Sequence, residues 1–283
     1  MVPRPVHRST RAAISPPLKI ALGIAYDGSR FCGWQTQPSR ASVQDHLESA
    51  IAAIAGHPAR VTAAGRTDAG VHAVAQVAHF ETDAERPESA WVRGVNAHLP
   101  EAAAVQWAVR VDAAFHARFS AVGRSYRYVL YNHPVRPALA ARHVGWFHDP
   151  LDLDAMRAAA TLLAGRHDFS AFRAAECQAK TPVRTISFAS VTRRGAYVIF
   201  EFRADAFLHH MVRNIVGSLV YVGKGRHEPG WIGEVLASRD RALAAPTFAP
   251  EGLYLSAVHY PTEWTFPPFA PMMPLFDPPG DSE

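Results

Sequence analysis

Lys19-Ile20-Ala21-Leu22-Gly23-Ile24-Ala25-Tyr26, closed at once by the turn signal Asp27-Gly28, is the stretch from which the fold is read. An apolar run of this length bounded by Asp-Gly predicts a buried strand. Beyond it, Ser42 offers an N-cap with Asp45 three residues on, and Val43, Leu47, Ala50, Ile51 and Ile54 recur at helical spacing until Gly56. That is a helix with a capping box at one end and a glycine stop at the other. Further strands are predicted at about 60–64, 75–80 and 104–111, with a helix over 91–99. Strands at this density around so few helices favour an α+β architecture over a doubly wound α/β sheet.

The second half of the chain repeats this mixture. Arg124-Ser125-Tyr126-Arg127-Tyr128-Val129-Leu130-Tyr131 alternates as a strand, and Leu153, Met156, Ala160 and Leu163 mark a helix stopped by Gly165. A hairpin is predicted around Arg194-Gly195, and the longest helix is predicted from about Phe207 to Val222, with Met211, Ile215, Leu219 and Val222 on one face. A short helix near 231–237 and a last strand over 253–260 follow. Four segments result: a basic N-terminal arm (1–17), two α+β halves (18–118 and 119–262) and a proline-rich tail (263–283). Trp264, Phe266, Phe269 and Phe276 are interleaved with the tail's prolines, so an extended segment packed along the body is expected. An old duplication is suggested, although no residue-level repeat is visible.

The 283 residues are 48% hydrophobic and 19% charged, which is globular composition. No apolar run approaches the ~18 residues of a membrane span. Two cysteines, Cys32 and Cys177, with no C-x-x-C pair, exclude a disulfide framework or a zinc knuckle and fit a cytoplasmic protein. The net charge of +4 is carried mostly by arginine, which pairs with phosphate and stacks on bases.

The chemistry is concentrated in Gly65-Arg66-Thr67-Asp68-Ala69-Gly70-Val71-His72-Ala73, a loop between two strands. By itself an Asp there reads as a turn former, and the glycines as a weak phosphate cradle lacking the G-x-x-x-x-G-K-[ST] pattern. The loop has collinear company, however. Tyr26-Asp27-Gly28 with Gly33-Trp34-Gln35, Phe115-His116-Ala117-Arg118-Phe119-Ser120, Tyr126-Arg127-Tyr128, the run Phe207-Leu208-His209-His210-Met211-Val212-Arg213-Asn214-Ile215-Val216-Gly217 and Glu251-Gly252-Leu253-Tyr254-Leu255 follow in order. Together these motifs resemble the tRNA pseudouridine synthase A family over roughly residues 19–260.

The resemblance implies two ferredoxin-like (RRM-like) halves, with mainly antiparallel sheets joined across a central cleft, in a homodimer. It implies isomerisation of uridine to pseudouridine at tRNA positions 38, 39 and 40 in the anticodon stem-loop, with no cofactor and no metal. Asp68 matches the catalytic carboxylate, acting at C1′ as nucleophile or at C2′ as base. Arg213 matches the basic partner that favours the carboxylate's charged form, and Tyr126 the active-site tyrosine that stacks on uracil and handles the C5 proton. Arg66 is the candidate to fill the gap left by a flipped nucleotide, with Gly65, Thr67 and His72 as further substrate-binding residues. The homodimer would hold one tRNA at both stem-loop and elbow.

Metal binding is expected to be absent: His209 and His210, placed side by side on a helix, would diverge by about 100°. A non-catalytic RNA-binding protein is the competing reading, but it leaves a carboxylate among phosphate-binding residues unexplained. A glycoside hydrolase would need a second carboxylate, and none stands out.

Overall fold

A computed structural model describes residues 17–270 of the chain. The N-terminal arm up to residue 16, and the tail from residue 271 with Phe276, lie outside the described residues.

The first unit runs β1 (Leu18–Tyr26), α1 (Val43–Ala55), β2 (Thr62–Ala63), β3 (His72–Thr82), a wide helical turn over Ala90–Gly94 that continues as α2 (Val95–His98), and β4 (Ala103–Val111). The α1 cap forms as the sequence indicates: Asp45 N–H donates to Ser42 Oγ at 3.1 Å, and Ser42 N–H donates to the Asp45 carboxylate at 3.4 Å. Gly56, at φ +80°, closes the helix in the left-handed region. The predicted 91–99 helix departs from regular α geometry in its first turn, which winds as a π turn. There Trp91 is fully buried edge-on against Phe80, with ring centroids 5.2 Å apart. Gly94 lets the segment close on α1, since a Cβ there would lie 2.7 Å from Ile54 Cδ1.

The second unit contains β5 (Gly123–Asn132), β6 (Gly145–Phe147), α3 (Leu153–Thr161), β7 (Gly165–Asp168), β8 (Val183–Arg194), β9 (Tyr197–Ala204), α4 (Met211–Gly223), α5 (Trp231–Ser238) and β10 (Leu253–His259). The strand order explains the hint of duplication. In the first unit β4-β1-β3-β2 is the order of a βαββαβ ferredoxin-like unit, and β10-β5-β9-β8 repeats that order in the second.

The two units share a single ten-stranded sheet. They join where β10 pairs parallel to β3 at Tyr254↔His72 and Leu255↔Ala73. This seam exists because β2 is a two-residue stub that occupies only the far end of β3, at His79 and Ala78. The strand predicted at 60–64 is mostly loop for the same reason, and the vacated β3 edge accepts β10 instead of standing open.

The helices all lie on one face. Leu47 and Ile51 of α1, Met156 of α3, Met211, Ile215 and Leu219 of α4 and Ile232 of α5 form one core with Leu22, Ile24, Phe80, Tyr128, Phe200 and Phe202 of the strands. On the other face of the first unit, Trp107 and Phe115 are covered by the chain after Pro261, as its aromatic residues led us to expect. Phe266 stacks on Trp107 at 5.2 Å and 10°, and Trp264 packs edge-on against Phe115 at 5.1 Å. Fully burying a ring of this kind contributes roughly 1.5–3 kcal/mol, and Trp264 and Phe266, which stay partly exposed, contribute less.

One predicted boundary is corrected. The helix expected from Phe207 begins at Met211, because His210 adopts φ +61° and the preceding residues form a separate turn. His209 and His210 therefore do not ride on the helix, and their rings do not diverge as a helix would make them.

Candidate active site

Asp68 sits in the loop between β2 and β3, at the junction of the two units, and the loop is braced from below. Gln76 Nε2 donates to Gly65 O at 2.7 Å, Tyr26 Oη lies 2.8 Å from Thr67 Oγ1, and Trp34 N–H donates to Thr67 O at 2.9 Å. Gly33 stands at φ +90° with no room for a side chain, since a Cβ would lie 2.9 Å from Thr67 O. The Gly33-Trp34 turn is thereby pressed against the backbone that carries Asp68.

Downstream, His72 fixes the loop's exit. Gly28 N–H donates to His72 Nδ1 at 3.1 Å, His72 Nε2 donates to Glu251 O at 3.0 Å, and the ring stacks on Tyr254 at 4.7 Å. Asp27 Oδ1 is also 3.1 Å from Nδ1, a contact that would favour a charged ring. Burial is the larger effect and lowers the His72 pKa, in keeping with a neutral ring whose Nδ1 accepts from Gly28. Thr67 and His72 are both buried, so they hold the loop rather than face its opening.

The second unit meets the carboxylate from α4 and the turn before it. Arg213 Nη1 donates to Asp68 Oδ2 at 3.2 Å, while its Nε donates to Phe248 O at 2.8 Å. His209 Nε2 lies 3.2 Å from Oδ1 and His210 Nε2 lies 3.3 Å from Oδ2. The positive φ of His210 turns both rings to the same carboxylate, their centroids 4.0 Å apart. A non-glycine residue in that conformation stores strain, a recurrent feature of functional sites. Burial, then His209 and Arg213, hold the His210 imidazole below its ordinary pKa, with Asp68 opposing.

Tyr126, on β5, completes the floor. Its ring meets Phe207 edge-on at 5.0 Å, and a Cβ on Gly65 would lie 3.8 Å from its hydroxyl. Burial, with Tyr26 and Asp68 adding to it, pushes the phenol pKa well above its ordinary value, so the group is a neutral hydroxyl at physiological pH. Arg66 is exposed and makes no hydrogen bond or ion pair among the described residues. Asp68 and Arg213 thus meet directly, Tyr126 lies buried beside Gly65, Arg66 is exposed two residues before Asp68, and Thr67 and His72 are buried behind the loop.

Sequence reasoning passed over His209 and His210 as site residues. Their signal was present in the run that carries Arg213, but reading that run as uninterrupted helix pointed the rings apart.

The pattern described as tRNA pseudouridine synthase matches residues 23–120 and 159–261. The chain belongs to the tRNA pseudouridine synthase family. A protein of Methylobacillus flagellatus named tRNA pseudouridine synthase A is 59% identical over 250 residues, 88% of this chain and 96% of that protein. Proteins of the same name from Aromatoleum aromaticum and Thiobacillus denitrificans are 60% and 59% identical over 250 residues, each 88% of this chain, and 95% and 96% of their own length. The segments matching the tRNA pseudouridine synthase pattern hold Asp68, His209, His210 and Arg213, while Tyr126 falls between them.

Proposed function

We propose that this chain converts uridine to pseudouridine at positions 38, 39 and 40 of the tRNA anticodon stem-loop, with Asp68 as the reacting carboxylate. As a member of the tRNA pseudouridine synthase family it is an isomerase of tRNA uridine. The observation that carries the finer reading is the approach of Arg213 to Asp68 across the junction of the two units, 3.2 Å between charged atoms.

The reaction breaks the bond from N1 to C1′, turns the uracil and bonds C5 to C1′, with loss of the C5 proton. Asp68 either bonds to C1′ or takes the C2′ proton, and in both cases needs its negative charge. Arg213 supplies the compensating charge in a site from which the stacked base excludes water. Tyr126 supports the uracil face and, as a neutral phenol, relays the C5 proton by accepting one while handing on its own. Arg66, unengaged among the described residues and next but one to Asp68, fills the helix position that a flipped nucleotide vacates.

The reaction needs no cofactor, and the protein works in the cytoplasm. Two subunits hold one tRNA, one presenting Asp68 to the stem-loop while its partner grips the elbow. Among the described residues no helix is long and apolar enough to cross a membrane. The test is tRNA carrying tritium at uridine C5. The isomerase reading requires tritium release and pseudouridine at these positions; retention of all tritium by a protein that binds the tRNA would contradict it.

A further inference from the structure

Asp68, His209 and His210 place a carboxylate oxygen and two imidazole nitrogens within 4.8 Å of one another. Their closest approaches, 3.2 Å from His209 Nε2 to Oδ1 and 3.3 Å from His210 Nε2 to Oδ2, are long for charge-assisted hydrogen bonds, which run at about 2.7–2.9 Å. Each imidazole thus stands about as far from one oxygen of the carboxylate, His209 from Oδ1 and His210 from Oδ2, as neighbouring ligands stand in a tetrahedral zinc site, about 3.3–3.4 Å for bonds of about 2.0–2.1 Å. Side-chain exposures of 24%, 39% and 27% for Asp68, His209 and His210 leave an open side on which water can complete the coordination.

We propose that Asp68, His209 and His210 bind a divalent cation of the zinc class, and that this cation and the substrate uridine exclude each other. Two imidazoles with one carboxylate suit zinc, cobalt or nickel and not the hard cations calcium and magnesium. The left-handed His210 is what makes the site: a helical residue there would send the two rings to different sides. Arg213 is the opposing charge, 3.2 Å from Oδ2 and tied by its Nε to Phe248 O, so the cation's carboxylate ligand is Oδ1, which His209 already faces, and His210 turns from Oδ2 to join it. A carboxylate engaged by the cation is lost to the ribose, and the cation occupies the opening through which the nucleotide enters. Binding rests on the geometry alone; inhibition rests in addition on Asp68 being the reacting group.

Cobalt(II), which has visible bands that report tetrahedral coordination, is the probe. The full-length protein without tRNA is titrated with it in parallel with His209→Gln, His210→Gln and Asp68→Asn, each first shown by circular dichroism to be folded. Saturable tetrahedral bands at one cobalt per chain are expected in the parent, with affinity about tenfold or more weaker in each variant, a loss of about 1.4 kcal/mol. Equal affinities in parent and variants, or bands of octahedral type throughout, would overturn the site. Asp68→Asn keeps the side chain's shape, so it decides the matter if a histidine variant fails to fold.

Tritium release by the parent is then followed at buffered free zinc over a range of tRNA concentrations. The inhibition constant for zinc, obtained from the rise of the half-inhibiting zinc concentration with tRNA, is expected to equal the zinc dissociation constant obtained from displacement of cobalt. Displacement without inhibition would refute the exclusion and with it the role given to Asp68, while leaving the metal site standing.

Discussion

Asp68 and Arg213 are 145 residues apart in the chain, yet Arg213 Nη1 lies 3.2 Å from Asp68 Oδ2. The pair spans the two ferredoxin-like units, so neither unit holds a complete site by itself. What brings the residues together is the β3–β10 seam, which begins at His72, four residues after Asp68. The same guanidinium is anchored by Nε to Phe248 O, so the fork addresses two acceptors at once.

Arg213→Lys is expected to behave unlike a conservative change. An ammonium cannot reach Phe248 O and the carboxylate in the geometry of a planar fork. Losing one charge-assisted bond costs about 1.5–3 kcal/mol, or roughly 10–150-fold in turnover. Single-turnover rates on tRNA measure this; a lysine variant within about twofold of the parent would show that charge alone suffices there.

Tyr126→Phe should leave the fold and the edge contact with Phe207 intact, because the ring stays and only the hydroxyl goes. The expected effect is a rate lower by about 10²-fold or more, the usual size of a lost general acid or base. Tritium release matching the parent would confine Tyr126 to support of the base.

Gly33→Ala probes the bracing of the loop that carries Asp68. The added methyl would lie 2.9 Å from Thr67 O at a residue with φ +90°, so the turn or the loop has to shift. Since Thr67 precedes Asp68, the change should lower turnover more than tRNA affinity, with a stability loss of about 1–3 kcal/mol from the strained backbone. Turnover at the parent level would show that the turn does not position the carboxylate.

His79 gives the fold a pH dependence away from the site. Burial, with His116 and Lys19 adding to it, depresses its pKa to about 4, and Glu81 opposes. Its Nδ1 accepts from Ala117 N–H at 3.1 Å, which requires the unprotonated nitrogen. As pH falls below the unfolded pKa of about 6.5, the unfolded chain takes up a proton that the folded one refuses. This contribution is complete above about 6.5 and is lost between there and about 4, on the order of 3 kcal/mol in all. Urea denaturation at pH 7 and 4.5 should show the parent losing more stability than His79→Gln; equal losses would mean that His79 is protonated in the folded state.

How far the sequence could be read follows from the range over which each signal acts. The α1 boundaries were legible because Ser42, Asp45 and Gly56 make them with bonds a few residues long. The hairpin at Gly195, with φ +57°, was legible for the same reason. Asp68, Arg213 and Tyr126 were singled out through a resemblance of several ordered motifs, and the fold brings Arg213 to 3.2 Å from Asp68. The start of α4 was not, since His210 has no local sequence mark for the left-handed backbone it adopts, and the residue its ring approaches, Asp68, is far off in sequence. Nor could the length of β2 be read: its shortness shows only once β10 is seen on the other end of β3.

The central claim, that Asp68 is the reacting carboxylate, is tested most directly by Asp68→Asn assayed for tritium release from C5-labelled tRNA, with tRNA binding measured alongside. Phosphate contacts supply most of the affinity, so binding should remain within about tenfold of the parent. Tritium release should fall below about one per cent of the parent rate, a loss of at least about 2.7 kcal/mol in transition-state stabilisation. An asparagine variant that binds normally and releases tritium above that level would remove Asp68 from the reaction.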